Sequence, residues 1–398
     1  MSNKNYNSVI YIYIGNHGKQ EGIEDFISVL QDVLINNGCD SEVSTSLRAG
    51  FTNIIIDEFT NYSQNRIISE FKKDNPESVL VLVLTEFVEK KYLISSFNNF
   101  GGIIDSALIS SLNVVVRRVR DDYISVKLKD WLLMLLYLPV TLTYGISVSL
   151  WYICLSLVSK NNAYKFFSSI KKRIYKLAYL HMRFLGLEKF IKYADMVVLS
   201  HKLIESGLVS INWLKESDPK NLGVLYPEFD IESVLTNLLV EKSLYIEISG
   251  SVTAYRKMWI SKIGRMLSMY GLNNSIGPTK TISFDASTQS TDMQRAAFSL
   301  HPPQKEHWLY SSPTRLYRAL HVDGNIPVIT DYFGQHPIED VCLKFNGLET
   351  LISMMEFYNN RDAAIAFFKP KIIKYNSVIK KLNTELIRRL KCDKKVAV

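Results

Sequence analysis

The 398-residue chain carries 47 Lys and Arg against 39 Asp and Glu, a formal net charge of +8, with 47% hydrophobic and 22% charged residues. That composition excludes a disordered polymer and leaves room for two domains with separate cores. The basic excess points to an anionic partner, and without zinc-finger spacing, an aromatic ribonucleoprotein motif or an arginine-rich arm the chain is not read as binding nucleic acid. Cys39, Cys154, Cys342 and Cys392 stand far apart, which fits a reducing compartment and neither a disulfide framework nor a thiolate metal site.

In chain order, Val9–Ile14 is a short apolar run, too brief for a signal-peptide core and suited to a buried strand. The glycine-bearing stretch Gly15–Gly22 follows, then Ile23, Phe26, Ile27, Leu30, Val33 and Leu34 at helical spacing, closed by Asn36-Asn37-Gly38. Further Val/Ile/Leu-rich strands are predicted at Asn53–Ile56, Val79–Leu84, Asn113–Val116 and Met196–Leu199. The pattern restarts with a strand at Leu244–Ile248, the turn Ser249-Gly250-Ser251 and a helix over Arg256–Tyr270. Strands follow at Thr281–Phe284, Ala297–Leu300 and Ile326–Thr330. The expected fold is α/β, with two Rossmann-like domains facing a central cleft and an apolar helical insert in the first. The boundaries are an N-terminal acceptor domain at 1–205 with the insert at about 127–180, a linker at 206–242, a donor-binding domain at 243–375 and a basic C-terminal helix at 376–398.

The 29 positions Trp131–Ser159 contain no charged residue. Length alone would allow a membrane crossing, but the strands before and after the insert belong to one domain, and both flanks are basic. Pro139 and Gly145 are expected to break the segment into a shallow hairpin or two interfacial helices, followed by a lysine-rich amphipathic helix around Tyr164–Leu177. Monotopic attachment to an anionic cytoplasmic membrane face is therefore expected, with a helical hairpin buried on the first sheet as the alternative. The terminal stretch Lys369–Lys395, also amphipathic, either packs across both lobes or lies on lipid.

The chemistry is concentrated in His301–Leu320 and Gly324–Ile329. Ser312 suits an N-cap and Pro313 the first helical position, so Thr314 and Arg315 fall in a first turn whose amides and dipole favour a phosphate. Arg318 follows three residues later. This unit resembles the donor-binding segment of GT-B glycosyltransferases. Ser251 with Arg256 and Lys257 resembles the loop that adds contacts to the donor diphosphate in that family, and Gly15–Gly22 resembles its first cleft-facing loop. The resemblance covers most of the chain in layout and about 60 residues in motif.

It implies transfer of a sugar from a nucleotide-sugar donor to a membrane-linked or surface-polysaccharide acceptor in cell-envelope glycan synthesis. The implied donor-site residues are Ser251, Arg256, Lys257, His301, Ser311, Ser312, Thr314, Arg315, Arg318 and Glu339. The chain departs from the family where retaining members place two glutamates seven residues apart; Tyr310 or Ser311 and then Arg318 stand there, which leaves the ribose contact and the stereochemistry open. His301-Pro302 is similar to a nucleotide-binding pair in bacterial sialyltransferases that use a CMP-linked donor. His17, Glu21 and Glu86 are the candidate catalytic bases. No metal or other cofactor is expected. The alternatives are a nucleotide-sugar epimerase of the same fold and a non-catalytic membrane-bound interaction module.

Overall fold

The computed structural model describes residues 9–15, 23–56, 62–84, 107–108, 128–171, 191, 193–199, 221–224, 226–248, 253–272, 275–278, 295–303, 311–334 and 336–392. The expected strands at 113–116 and 281–284, and His17, Glu21, Glu86 and Ser251, lie outside these residues.

Six strands make the first sheet: β1 (Ile10–Tyr13), β2 (Ser41–Ser44), β3 (Thr52–Ile56), β4 (Val79–Leu84), β5 (Met196–Leu199) and β6 (Asn221–Val224), in the order β2-β1-β3-β4-β5-β6. Every pairing is parallel. β3 and β4 are buried at all positions, as unbroken Val/Ile/Leu runs require when both faces of a sheet are covered. Helix α1 (Ile23–Asn36) buries Phe26, Leu30, Val33 and Leu34, the stripe its 3.6-residue period predicts. Helix α2 (Tyr62–Asp74) is anchored by Lys72, whose Nζ meets Asp195 Oδ2 at 2.8 Å, while the Leu80 amide donates to the same carboxylate oxygen at 2.8 Å. The polar edge strands β2 and β6 escape sequence reading, because edge positions need no apolar run.

The second sheet contains β7 (Ser243–Ile248), β8 (Ile276–Pro278), β9 (Ala296–His301), β10 (Ile326–Ile329) and β11 (Leu343–Lys344), ordered β11-β10-β9-β7-β8 and wholly parallel. The two α/β units therefore share one strand plan. Between the apolar insert and this sheet stands α4 (Ile231–Leu239), capped by Asp230, which accepts from the Ser233 amide at 3.3 Å.

Helix α3 (Leu128–Val158) forms the insert as one continuous helix of 31 residues, not the hairpin or pair of interfacial helices expected from a break at Pro139 and Gly145. Proline removes a single backbone donor, and the other backbone hydrogen bonds of this long helix continue on both sides, so helical geometry persists through it. The helix breaks instead at Ser159, after which residues 160–171 are helical again. The second segment folds back along the first, with the Tyr152 and Phe167 rings 5.7 Å apart. Apart from the buried Tyr137, the large side chains along Leu135–Val158 are exposed or partly exposed, which does not fit the alternative of a hairpin buried against the sheet.

Helix α7 (Leu348–Asn359) leads into the 32-residue α8 (Arg361–Cys392), which begins well before the boundary expected at 376. Phe368, Ile372, Tyr375, Ile379, Asn383, Leu386 and Leu390 form its buried seam. The helix packs on α4, on α7 and residues Pro337–Asp340 of the second unit, and on β6 of the first, so the terminal stretch crosses both lobes. Its polar side chains also stitch the connection at 226–230. Asn376 exchanges two 2.8 Å hydrogen bonds with the Phe229 backbone, Asn383 Nδ2 donates to Tyr226 O at 2.8 Å, and the Tyr375 hydroxyl donates to Pro227 O.

Candidate functional site

From β7 the chain moves to β8 on one side and then returns to β9 on the other. The connections leaving the carboxyl ends of β7 and β9 therefore diverge, and such a switch point is where open α/β sheets leave a crevice. Polar residues interrupt these otherwise apolar strands at that place. Glu247 pairs in register with Ser299, and His301 lies two residues further along β9, so all three project from one face. Each is buried, at 2%, 1% and 6% exposure. His301 Nε2 and Ser299 Oγ share a hydrogen bond of 2.5 Å.

Two arginines converge on this row. Arg256 sits in the first turn of α5 (Ala254–Ser268), whose N-cap Thr253 accepts from the Arg256 amide at 3.3 Å. Its side chain is buried, and Nε donates to Pro302 O at 3.3 Å, directly after β9. Arg315 lies in the first turn of α6 (Pro313–His321) and is half-buried. Burial, followed by the charges of Arg315 and Arg256, pushes the His301 pKa from the usual 6.5 down to about 3. The imidazole is thus neutral at physiological pH, beneath two fixed positive charges. Ser311 donates to His301 O at 3.4 Å and holds the start of α6 against the end of β9.

Ser312 is the N-cap of α6 by backbone geometry with Pro313 behind it, yet its hydroxyl makes no capping hydrogen bond. The buried Tyr226 takes the usual capping place. Its hydroxyl lies 2.7 Å from Thr314 Oγ1 and also meets the Thr314 backbone, while burial raises its pKa. Ser312, Thr314 and Arg315 remain partly exposed, so the helix start is accessible. This corner can seat an anion beside the partly exposed Ser312 hydroxyl and Arg315 guanidinium, with the buried Arg256 adding its charge.

The other expected residues are placed differently. Arg318 points one turn further along α6 and pairs with the buried Asp323 at 3.6 Å, away from the helix start. Lys257 is solvent-exposed, about 100° around α5 from Arg256. Thr314 is engaged by Tyr226. Glu339 is 1% exposed and its Oε2 accepts from the amides of Phe333 and Gly334 at 2.9 and 3.0 Å, so it shapes the turn after β10. Sequence reasoning missed Glu247, Ser299 and Tyr226. A signal for the first two existed: a carboxylate in Leu244–Ile248, and Ser299 and His301 two residues apart in Ala296–His301, are unusual in a buried strand.

The exit of α6 fixes where its start can lie. Lys242 Nζ donates to Asp323 O and, at 2.7 Å, to Asn325 Oδ1; burial, opposed by Asp323, lowers its pKa to about 8. Gly324 sits at φ +61, and an added Cβ would fall 2.8 Å from Asn237 Cβ and 3.0 Å from Asn237 O. Gly324→Ala is expected to destabilise the protein by about 2–4 kcal/mol, read as a lower urea midpoint with unchanged slope.

The His301 shift gives a pH dependence of definite sign. Its folded pKa lies below its unfolded value, so from pH 6.5 down to about 3 the unfolded chain binds the extra proton and stability falls. The slope contributed is up to about 1.4 kcal/mol per pH unit. His321, whose pKa burial also lowers, adds in the same direction. His301→Gln is expected to flatten the thermal midpoint of unfolding against pH in that window; an unchanged profile would show the imidazole is not held neutral.

No protein-family description matches the chain, and no curated protein matches it. Among solved structures it is similar to an alpha-glucosyltransferase in complex with UDP, at 12% identity and TM-score 0.40, covering 96% of this chain and 99% of that one. A second is an alpha-glucosyltransferase in complex with UDP and a 13-mer DNA containing a central A:G mismatch, at 11% identity and TM-score 0.38, covering 96% and 98%. A third is Phytolacca americana UGT2 complexed with UDP-2fluoro-glucose and pterostilbene, at 10% identity and TM-score 0.29, covering 96% and 98%.

Proposed function

We propose that this chain is a glycosyltransferase that moves a sugar from a nucleotide-sugar donor to a membrane-linked or surface-polysaccharide acceptor, working at the cytoplasmic face of the plasma membrane in cell-envelope glycan synthesis. One observation carries the reading: Arg256 and Arg315 converge on a buried, neutral His301 at the switch point of the second sheet. In the reaction the bond between the anomeric carbon and the donor phosphate breaks, a bond to the acceptor oxygen forms, and the acceptor proton passes to a base. Charge develops on the departing phosphate, where two preorganised guanidinium groups stabilise it most. His17, Glu21 and Glu86 remain the proposed bases.

Membrane attachment is supported by α3. It is about 46 Å long at 1.5 Å per residue, more than a bilayer core of about 30 Å, and most of its large side chains, Leu135, Leu136, Leu150, Trp151 and Leu157 among them, are exposed. β4 and β5 flank the insert and pair directly, Val81 with Met196, so the chain between them returns to the side it left. Any number of crossings there is even. Residues 160–171 carry exposed Lys160, Lys165 and Lys171, which suits a hairpin lying in an anionic interface rather than spanning it.

The test is thermal shift and donor turnover with a panel of UDP-, GDP- and CMP-linked sugars. Stabilisation by one nucleotide and release of that nucleotide in the presence of a lipid-linked acceptor is the expected result. No nucleotide-dependent shift and no turnover across the panel would rule the reading out.

A further inference from the structure

The two helices of the insert do not close on each other along their whole length. A cleft of about 530 Å³ opens between them, within the roughly 300–1,000 Å³ of ligand clefts. Tyr144, Ser147, Val148 and Trp151 line it from α3, and Phe166, Ser169 and Ile170 from residues 160–171. Each set recurs at i, i+3 and i+4, so each helix turns one unbroken stripe toward the other. The short Ser147 and Ser169 side chains leave the gap, whereas Tyr152 and Phe167, each the next residue along from a lining ring, bring their rings to 5.7 Å. No charged side chain lines the cleft, and its polar side-chain groups are the hydroxyls of Tyr144, Ser147 and Ser169.

That lining gives a nucleotide or a sugar too few partners for its polar groups and favours hydrocarbon. Size decides against a partner helix: one about 10–12 Å across would fill this volume within about one turn of its length. A single hydrocarbon chain carries no side chains and fits lengthwise. The charge around the cleft is of one sign. The 57 residues between Asp130 and Glu188 contain seven Lys and Arg and no Asp or Glu. Lys165 precedes Phe166 and Lys171 follows Ile170; both are exposed, each about 100° around the helix from that neighbour, so one lysine stands on each flank of the stripe. Ammonium groups flanking an apolar cleft suit the phosphate of an amphiphile whose chain lies inside. We infer that this cleft holds one acyl chain of an anionic phospholipid, whose headgroup phosphate meets Lys165 and Lys171. The inference rests on the membrane attachment proposed above and not on the sugar-transfer chemistry.

The experiment binds the full chain to phosphatidylcholine vesicles with increasing phosphatidylglycerol that carries brominated acyl chains, and reads the quenching of tryptophan fluorescence. The Trp151→Phe protein supplies the background, and co-sedimentation of the same samples reads attachment separately. Quenching of Trp151 is expected to saturate at a low mole fraction of the brominated anionic lipid. Brominated phosphatidylcholine, in vesicles of equal charge, should quench only in proportion to its amount. Lys165→Gln and Lys171→Gln are each expected to raise the half-saturating fraction about fivefold. Ser147→Leu with Ser169→Leu, both at exposed helical positions, fills the cleft and is expected to remove the saturation while co-sedimentation does not fall. Equal quenching by the two lipids, or saturation that survives the paired leucine substitutions, overturns the inference. So does a dimer that those substitutions abolish, which would assign the cleft to a second copy of the chain. A wild-type chain that does not co-sediment would overturn the membrane attachment together with it.

Discussion

Replacing Arg256 with alanine is expected to lower kcat/KM for the donor by about 10²–10³-fold, the effect of removing one preorganised donor to the charge that develops in the transition state. Arg256 is buried and also donates to Pro302 O, so the same change costs about 1–3 kcal/mol of stability. Arg315→Ala separates the two effects. That side chain is half-buried at the start of α6, and its loss is expected to cost about 100-fold in kcat/KM with stability within about 0.5 kcal/mol of wild type. Arg256→Lys should restore little, since an ammonium lacks the planar two-pronged donor. The measurements are steady-state release of the nucleotide and the nucleotide-dependent thermal shift. An Arg315→Ala protein that binds and turns over the donor as wild type does would remove the switch-point corner from the mechanism.

Release from the membrane is the second large effect. Leu136, Ile146, Leu150 and Leu157 are 69%, 61%, 59% and 83% exposed along α3. Burying one such side chain in an apolar phase is worth about 1.5–3 kcal/mol, so changing all four to serine should lower partition onto anionic vesicles by at least about 100-fold. The core is untouched by these changes, so the unfolding midpoint of the detergent-free protein should hold or rise. Turnover of a water-soluble acceptor should persist while turnover of a lipid-linked one falls. Unchanged vesicle co-sedimentation would mean α3 is covered by another protein surface and not by lipid. High salt weakens the contribution of Lys160, Lys165 and Lys171 but leaves the apolar contribution in place.

Much of the layout was legible in the linear chain, because it depends on local periodicity. Val79–Leu84 and Ile326–Ile329 are runs that only a strand covered on both faces can use, and Phe26 to Leu34 repeat at a helical period that only one buried face can satisfy. The uncharged length from Trp131 to Ser159 marked an apolar helical insert in the same way, while leaving open whether it would be exposed or buried on the first sheet. Arg256, His301 and Arg315 were legible as candidates because each sits at a strand end or a helix start.

What the chain alone did not determine was which of these groups meet. Arg315 and Arg318 are three residues apart and look equivalent, yet Asp323, arriving after the helix ends, takes Arg318 into an ion pair, while Arg315 stays beside His301. Ser312 reads as a capping hydroxyl, but Tyr226, 88 residues away from Thr314, occupies the helix start instead. Pro139 reads as a break, and the helix runs through it. Glu247, Ser299 and His301 become one polar row only when β7 and β9 pair with β8 on the outside. Periodicity is a property of neighbours along the chain, whereas hydrogen-bond partners and buried charges are decided by contacts between distant segments, where desolvation makes one pairing far better than the others.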